Sequence, residues 1–352
     1  MRILIDIGHP AHVHFFRHPI RLLKQRGHEV LITSREKEIA VGLLDELNLP
    51  HEVLSVQAGG GLFALGKELL TRNHALYRVV RRFKPDVMAA IGGIFIAQVG
   101  RLTGVPSLVF YDTENATLQN AITYPFASCV IVPRCYNSWL PKKRHLRYAG
   151  YHELSYLHPN YFTPDRECAI TNGLATDGDT FLIRVVSWQA SHDVGECGWN
   201  LELLQRTVEK LTSIGKVIIS AEGDLNPAFA PYQYRGNVAE IHHVMAFCRA
   251  FIGESATMAS ECAVLGVPAI YAAETGRGYT DEQEARYDLV RNIRKLEWTA
   301  IDDAIDGLLE QPPKYWQKVH NKLLGDTIDV PAFVAKIIEN PPSGQSAVGL
   351  NS

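Results

Sequence analysis

One stretch, Ala250 to Ala273 (AFIGESATMASECAVLGVPAIYAA), constrains this chain more than any other. It reads as strand, tight loop, helix, short turn, strand. The loop Gly253-Glu254-Ser255-Ala256-Thr257 is small and polar, so its main-chain amides can come close to a ligand. Helical character runs from Thr257 to Leu265, and Gly266 stands where a C-terminal cap belongs. A helix that starts in such a loop points unpaired N–H groups and a partial positive charge forward, a setting suited to an anion such as a diphosphate. Glu261 follows Thr257 by one turn on the same face, where a carboxylate can accept from hydroxyls beside that anion. The plainer reading is an ordinary α/β turn with Ser255 or Thr257 as N-cap.

The rest of the chain repeats this grammar. At 352 residues it has room for two domains. Its 46% hydrophobic and 21% charged content is that of a globular protein, and a net charge of −3 gives no general drive toward nucleic acid. The six cysteines form no CxxC pair, so neither a zinc site nor a thioredoxin-type site is indicated. The chain opens on MRILIDI rather than on a signal-peptide pattern, and no apolar run has membrane-spanning length. A cytoplasmic, reducing setting is expected, with at most peripheral membrane contact at the inner face.

In the first half, the strand Ile3 to Ile7 leads into a loop, Gly8 to His14, holding three histidines. A helix from Phe15 to Gln25 and a strand from Glu29 to Thr33 follow. This is a βαβ unit, with a right-handed crossover and ligands expected beyond the carboxyl ends of its strands. Gly-x-Gly-x-x-Gly is absent, and His9-x-x-His12-x-His14 fits no standard zinc spacing. Leu62 to Phe83 reads as a helix with a basic face of Lys67, Arg72, Arg78, Arg81 and Arg82, continued by Lys84. It is either a solvated surface or a weak membrane-surface patch. Val87 to Ile91, Gly92-Gly93, Ile94 to Leu102 and Ser107 to Phe110 repeat strand, small turn, helix, strand. Asp112 and Glu114 then stand at a strand end, as groups for acid–base or hydrogen-bond work or as caps, with Thr113, of a helix starting near Ala116.

In the second half, Thr180 to Val186 is a strand with Arg184 inside an apolar run, either snorkelling at a sheet edge or facing a ligand. Ser187, Gln189 and His192 follow at its end. Val244 and Met245 either pack in the core or border a bound ligand. After the central stretch, a Gly-hinged loop carries Glu274 and Arg277 ahead of a helix from Asp281. The expected division is a first domain over residues 1–151, a linker over 152–178 and a second domain over 179–325. A C-terminal helix over 326–340 and a disordered tail over 341–352 complete it.

The central stretch resembles the donor-binding motif of GT-B glycosyltransferases. It is similar to the peptidoglycan transferase that adds GlcNAc to a lipid-linked muramoyl peptide, and to non-hydrolysing UDP-GlcNAc 2-epimerases. The loop Gly8 to Val13, with His12-Val13, the Gly92-Gly93 turn and the Ser187 to Gln189 loop also match the transferase pattern. The chain looks like a member of a prokaryotic GT-B-like family of unknown function. The resemblance implies an α/β protein of GT-B fold: two Rossmann-like domains with parallel sheets facing across a cleft, and a helix over 326–340 that crosses back onto the first domain. It implies a nucleotide-diphosphate sugar, UDP-linked, held by Arg184, Ser187, Gln189, Gly253, Glu254, Ser255, Ala256, Thr257 and Met258. Glu261 would hold the ribose, and Glu274 and Arg277 would lie on the sugar side. His12, Asp112 and Glu114 would be the catalytic groups, with His12 as general base or polariser. Transfer would use no metal or cofactor and go to an unknown, lipid-linked or other, acceptor of cell-envelope or polysaccharide biosynthesis. Two alternatives stay open: a nucleotide-sugar epimerase using several carboxylates, with Glu114, Glu222 and Glu274 as candidates, and a non-catalytic nucleotide-sugar-binding or assembly module.

Overall fold

The computed structural model describes residues 1–36, 38–56, 62–186, 198–221 and 223–342. The chain divides into two units, Met1–His158 with Ile328 onward, and Pro159–Thr327.

The first unit runs β1 (Arg2–Ile7), α1 (Pro10–Gln25), β2 (Glu29–Glu36), α2 (Glu38–Glu46), β3 (His51–Val56), α3 (Leu62–Phe83) and β4 (Val87–Ile91). It continues through α4 (Ile94–Thr103), β5 (Ser107–Phe110), α5 (Thr117–Thr123), β6 (Cys129–Pro133), β7 (His145–Tyr148) and α6 (Leu154–Leu157). Its seven strands lie in the order β3-β2-β1-β4-β5-β6-β7, and every pairing is parallel. The inner strands are short, almost wholly apolar runs, as a parallel sheet buried on both faces requires. The order reverses direction between β1 and β4, so the loops after these two strands flank a topological switch point.

The second unit runs α7 (Arg166–Thr171), β8 (Thr180–Val185), α8 (Leu201–Thr212), β9 (Lys216–Ala221), α9 (Ile241–Met245) and β10 (Ala250–Gly253). It continues through α10 (Ala256–Val264), β11 (Ala269–Ala272), α11 (Gly278–Tyr287), β12 (Val290–Ile293), α12 (Trp298–Leu309) and α13 (Pro313–Gly325). Its five strands are again parallel, in the order β12-β11-β10-β8-β9, with the switch point between β8 and β10. The last helix, α14 (Val330–Glu339), packs on α1 and α6 of the first unit. There Glu339 receives Arg26 Nη1 at 2.7 Å and His28 Nε2 at 2.9 Å.

Several expectations need correction. The histidine loop is mostly helix: α1 begins at Pro10, five residues before Phe15. His9 caps it by accepting from the Ala11 N–H at 3.2 Å, and Pro10 takes the N1 position, where its missing N–H costs nothing. Pro19 inside the same helix frees the Phe15 carbonyl, and the Ser155 hydroxyl donates to it at 2.5 Å. The stretch 152–178 is not a bare linker, since it contains α6 and α7. The helix expected from Asp281 starts at Gly278, and the edge strand β12 carries a sequence, VRNI, too polar to stand out. Arg184 is on no edge, because β8 lies between β10 and β9. Val244 and Met245 are fully buried core.

Two candidate sites at the switch points

In the first unit, the loops after β1, β4 and β5 enclose a cavity of about 670 Å³. Its floor is a buried ion pair. Arg72 Nη2 lies 3.0 Å from each oxygen of Asp6, and the Thr33 hydroxyl donates to Asp6 Oδ1 at 2.8 Å from the neighbouring strand. Arg72 is 2% and Asp6 4% exposed, and the guanidinium stacks 4.3 Å over the Phe95 ring. Arg72 is therefore no part of a surface basic face. It shares the buried stripe of α3 with Leu76, Val79, Val80 and Phe83. Arg78, Arg81, Arg82 and Lys84 are exposed as expected, and the Lys67 side chain lies outside the description.

His12 and Asp112 both line this cavity. The Gly8 N–H donates to His12 Nδ1 at 3.2 Å. A main-chain N–H can only donate, so the proton of the neutral ring sits on Nε2. Of the two roles open to His12, this geometry suits the hydrogen-bond donor. Burial, then His9, pushes its pKa down to about 3, with Asp112 opposing the shift. Asp112 is held by a residue the sequence reading overlooked. His152 Nδ1 lies 3.1 Å from Asp112 Oδ2, and the Thr113 hydroxyl donates to Oδ1 at 2.9 Å. Burial alone would raise the Asp112 pKa, but His152, Thr113 and His12 outweigh it and leave the group at about 2. His152 is buried, packed against Phe15 and stacked on Tyr148, and its Nε2 has no hydrogen-bond partner among the described residues. Neither Asp112 nor Thr113 caps α5, whose N-cap position is Ala116 with no side-chain bond. Glu114 does not line the cavity; its Oε1 accepts from the Asn137 N–H at 3.4 Å.

The neutral His12 ring has a consequence for stability. Its folded pKa lies below the unfolded value of about 6.5, so the stabilisation is intact above that pH. It is lost as pH falls toward 3, at up to about 1.4 kcal/mol per pH unit. We expect His12→Gln to flatten the stability profile between pH 6.5 and 4, read by urea unfolding at several pH values. His18, which burial holds at about 4, titrates alike in both proteins. Identical slopes for wild type and variant would refute the assignment.

In the second unit, α10 starts at the carboxyl end of β10, beside the switch point. Ser255 is its N-cap, accepting from the Met258 N–H at 3.3 Å, while Thr257 is exposed. The Glu254 N–H is bound to the Arg184 carbonyl at 3.0 Å. The Glu254 and Met258 amides are thus engaged. The first-turn amides of Ala256 and Thr257 have no acceptor within the helix and face forward. Gly253 is wedged against Arg184, where a Cβ would lie 2.2 Å from the Arg184 carbonyl oxygen. The Glu254 carboxylate receives main-chain N–H groups from Trp199 (2.8 Å) and Val186 (3.0 Å), so it anchors the flanks of the β8–α8 loop. Glu261 is buried and receives His242 Nε2 at 3.0 Å. That pairing joins α9 to α10, and sequence reasoning assigned His242 no such task. Arg184 Nη1 donates to the Ser220 hydroxyl at 2.6 Å. Glu274 is exposed, and Arg277 donates to the adjacent Gly276 carbonyl at 2.9 Å. Ser187, Gln189, His192 and Glu222 lie outside the described residues.

Among the described residues, Cys168, Glu240 and His243 have the spacing of a metal-ligand set, their ligand atoms all within 4.8 Å. Their hydrogen bonding assigns them otherwise. The Asp165 N–H donates to His243 Nδ1 at 2.9 Å, so Nε2 carries the ring proton and directs it to Glu240 Oε2 at 3.3 Å. The Cys168 thiol donates to the same oxygen at 3.4 Å. A metal on Nε2 would have to displace a proton that Nδ1 cannot take, and the trio is a hydrogen-bonded tie between α7 and α9. No described helix is long and apolar enough to cross a membrane.

Two parallel sheets with helices on their faces and sites at the switch points are the architecture of GT-B proteins, and solved structures agree. The UDP-GlcNAc 2-epimerase of Neisseria meningitidis, bound to UDP-GlcNAc, matches with a TM-score of 0.69 at 14% identity, over 97% of this chain and 100% of that one. The UDP-GlcNAc 2-epimerase of Methanocaldococcus jannaschii matches with a TM-score of 0.64 at 14% identity, over 92% and 99%. The spinosyn rhamnosyltransferase SpnG matches with 0.65 at 12% identity, over 97% and 100%. The fold is GT-B. Residues 1–295 match the profile of the family described as a protein of unknown function, DUF354, and the chain belongs to that family. It is also 22% identical over 219 residues to the uncharacterized protein MJ0665 of Methanocaldococcus jannaschii. That match covers 59% of this chain and 62% of the relative's length.

Proposed function

We propose that this protein transfers a sugar from a nucleotide-diphosphate sugar, UDP-linked, to an acceptor of cell-envelope or polysaccharide biosynthesis, without a metal. The observation that carries the reading is the start of α10. The helix begins at the β8/β10 switch point with first-turn amides that have no acceptor within the helix and a backbone-tight Gly253 before them, and it carries a buried, His242-fixed Glu261 farther along. The amides would stabilise the leaving diphosphate as charge develops on it, helped by Arg184. Glu261 would accept from the ribose hydroxyls, with its orientation already set by His242. Glu274 and Arg277, on the β11–α11 loop, would read the sugar, and Ser187 and Gln189 would add diphosphate contacts. The first unit would hold the acceptor. There Asp112 would take the acceptor proton, and the His12 Nε2–H would polarise the acceptor oxygen or its neighbour.

The epimerase reading is supported by the UDP-GlcNAc-bound fold neighbour. Against it, Glu114 stands off the cavity, and the two described carboxylates that line it are both engaged, Asp6 by Arg72 and Asp112 by His152. Calorimetry with UDP and UDP-GlcNAc tests the donor site: Glu261→Ala should weaken binding at least about tenfold, the worth of one hydrogen bond to a charged group. Unchanged affinity would end the ribose assignment. Incubation of a bound nucleotide sugar with and without acceptors then separates the readings. Acceptor-dependent loss of the sugar supports transfer, and an epimeric nucleotide sugar formed alone supports epimerisation.

A further inference from the structure

Among the described residues that line the first-unit cavity, several hydrogen-bond donors are not engaged by its carboxylates. Both of its carboxylates are already served. Asp6 is bound by Arg72 Nη2 and the Thr33 hydroxyl, and Asp112 by His152 and the Thr113 hydroxyl. Three kinds of donor stand beside them among the described residues. Arg72 uses only Nη2 on Asp6, and its Nε is buried with no hydrogen-bond partner among the described residues. The His12 ring presents its Nε2–H, since the Gly8 N–H occupies Nδ1. The ten-residue helix α4 starts from Gly93 with no side-chain cap, so the amides of its first turn open on the same space. Gly93 is held at φ 51°, and a Cβ there would sit 2.3 Å from Val109 Cγ1, so the turn cannot carry a side chain that would supply a cap. Beside these donors the wall is apolar: Leu69, Phe95, Ile122 and Leu118, the last 73% exposed at the rim.

We propose that this cavity binds an acceptor carrying one compact anionic group, a carboxylate or a phosphate monoester, on an apolar body. The anion sits between Arg72 Nε–H, His12 Nε2–H and the first turn of α4. The body lies on Phe95 and Leu69 and covers Leu118. A volume of about 670 Å³ suits a small molecule or the head of a larger one. The inference rests on the transfer reading for the word acceptor, whereas the site itself does not need it. An orphaned guanidinium N–H in a buried setting is costly unless a ligand satisfies it, and Arg pairs best with planar or phosphate oxygens.

The test uses the full chain and three probes that share one apolar body: 1-naphthoate, 1-naphthyl phosphate and neutral 1-naphthalenemethanol. Binding is followed by calorimetry and by amide chemical shifts. At least one anionic probe should bind tenfold or more tighter than the alcohol, with shifts at Gly92 to Phe95. The ratio between naphthoate and naphthyl phosphate assigns the anion as carboxylate or phosphate. Arg72→Lys keeps a cation for Asp6 but removes the Nε–H, and should abolish most of the anionic preference while leaving the alcohol unchanged. Should that variant fail to fold, His12→Ala serves in its place, with a smaller loss in the same direction. Equal affinity for all three probes, no binding of any of them, or shifts confined to the second unit would overturn the proposal. UDP binding at the second unit is scored separately. If UDP binds and the anionic probes do not, the present inference fails alone. If the probes bind and UDP does not, the transfer reading fails and the anion site stands.

Discussion

Arg72→Met should cost the first unit about 3–5 kcal/mol of stability, the usual penalty for stranding one member of a buried ion pair. Asp6 is 4% exposed, and the remaining Thr33 hydroxyl cannot replace a cation. The lost stacking of the guanidinium over Phe95 adds to the loss. Removing both partners gives the opposite expectation. In Asp6→Val combined with Arg72→Met, most of the loss should be recovered, because a hydrophobic pair of similar volume needs no compensating charge. The measurement is urea unfolding, with protection of the β1 and β2 amides against hydrogen exchange as the readout local to this unit. A single variant within about 1 kcal/mol of wild type, or a double variant as unstable as the single, would show that the pair does not hold the floor of the cavity. The recovery experiment also separates stability from ligand binding, since a stable double variant should still lack the anion site.

Arg72 shows where sequence reading stops. Its position in the stripe Leu76, Val79, Val80, Phe83 follows from helical spacing, yet a lone arginine among surface arginines reads as one of them. Its partner Asp6 was an equally visible acid inside the apolar run RILIDI, but the two lie 66 residues apart and only the strand order brings them together. The strands Val87–Ile91, Ser107–Phe110 and Ala269–Ala272 were legible to the residue, because each is a short, mostly apolar run that begins just after a Pro. VRNI was not, since an edge strand need not be apolar on both faces. Pro10 misled because proline marks a loop as readily as the first turn of a helix. His12 and Asp112 could be placed at strand ends from the βαβ pattern alone. That His152 holds Asp112 could not, because the contact depends on where the chain returns after β7. Glu114, two residues from Asp112, turned away from the cavity; no periodicity in a loop tells which of two neighbouring carboxylates faces inward.

Gly253→Ala should be the most damaging small substitution in the second unit. The new methyl would stand 2.2 Å from the Arg184 carbonyl oxygen and 2.8 Å from its nitrogen. Both are main-chain atoms of the strand paired in register with Gly253, so no side chain can swing aside. Either β8 and β10 part or the start of α10 shifts, and the Glu254 N–H to Arg184 bond goes with it. Forced overpacking of this kind costs about 3 kcal/mol or somewhat more. Loss of the α10 geometry should lower UDP affinity at least about tenfold even where the variant remains folded, because amides aimed at an anion lose strength steeply when misdirected. Gly307→Ala is the control. It lies inside α12 with nothing within 4 Å of the added Cβ, and there alanine should be neutral or stabilising by about 0.5–1 kcal/mol. Thermal and urea unfolding of the two variants, with UDP titration of each, give the comparison. If Gly253→Ala unfolds within about 1 kcal/mol of wild type and binds UDP as tightly, then the close approach of β10 to Arg184 neither supports the fold nor aims the helix.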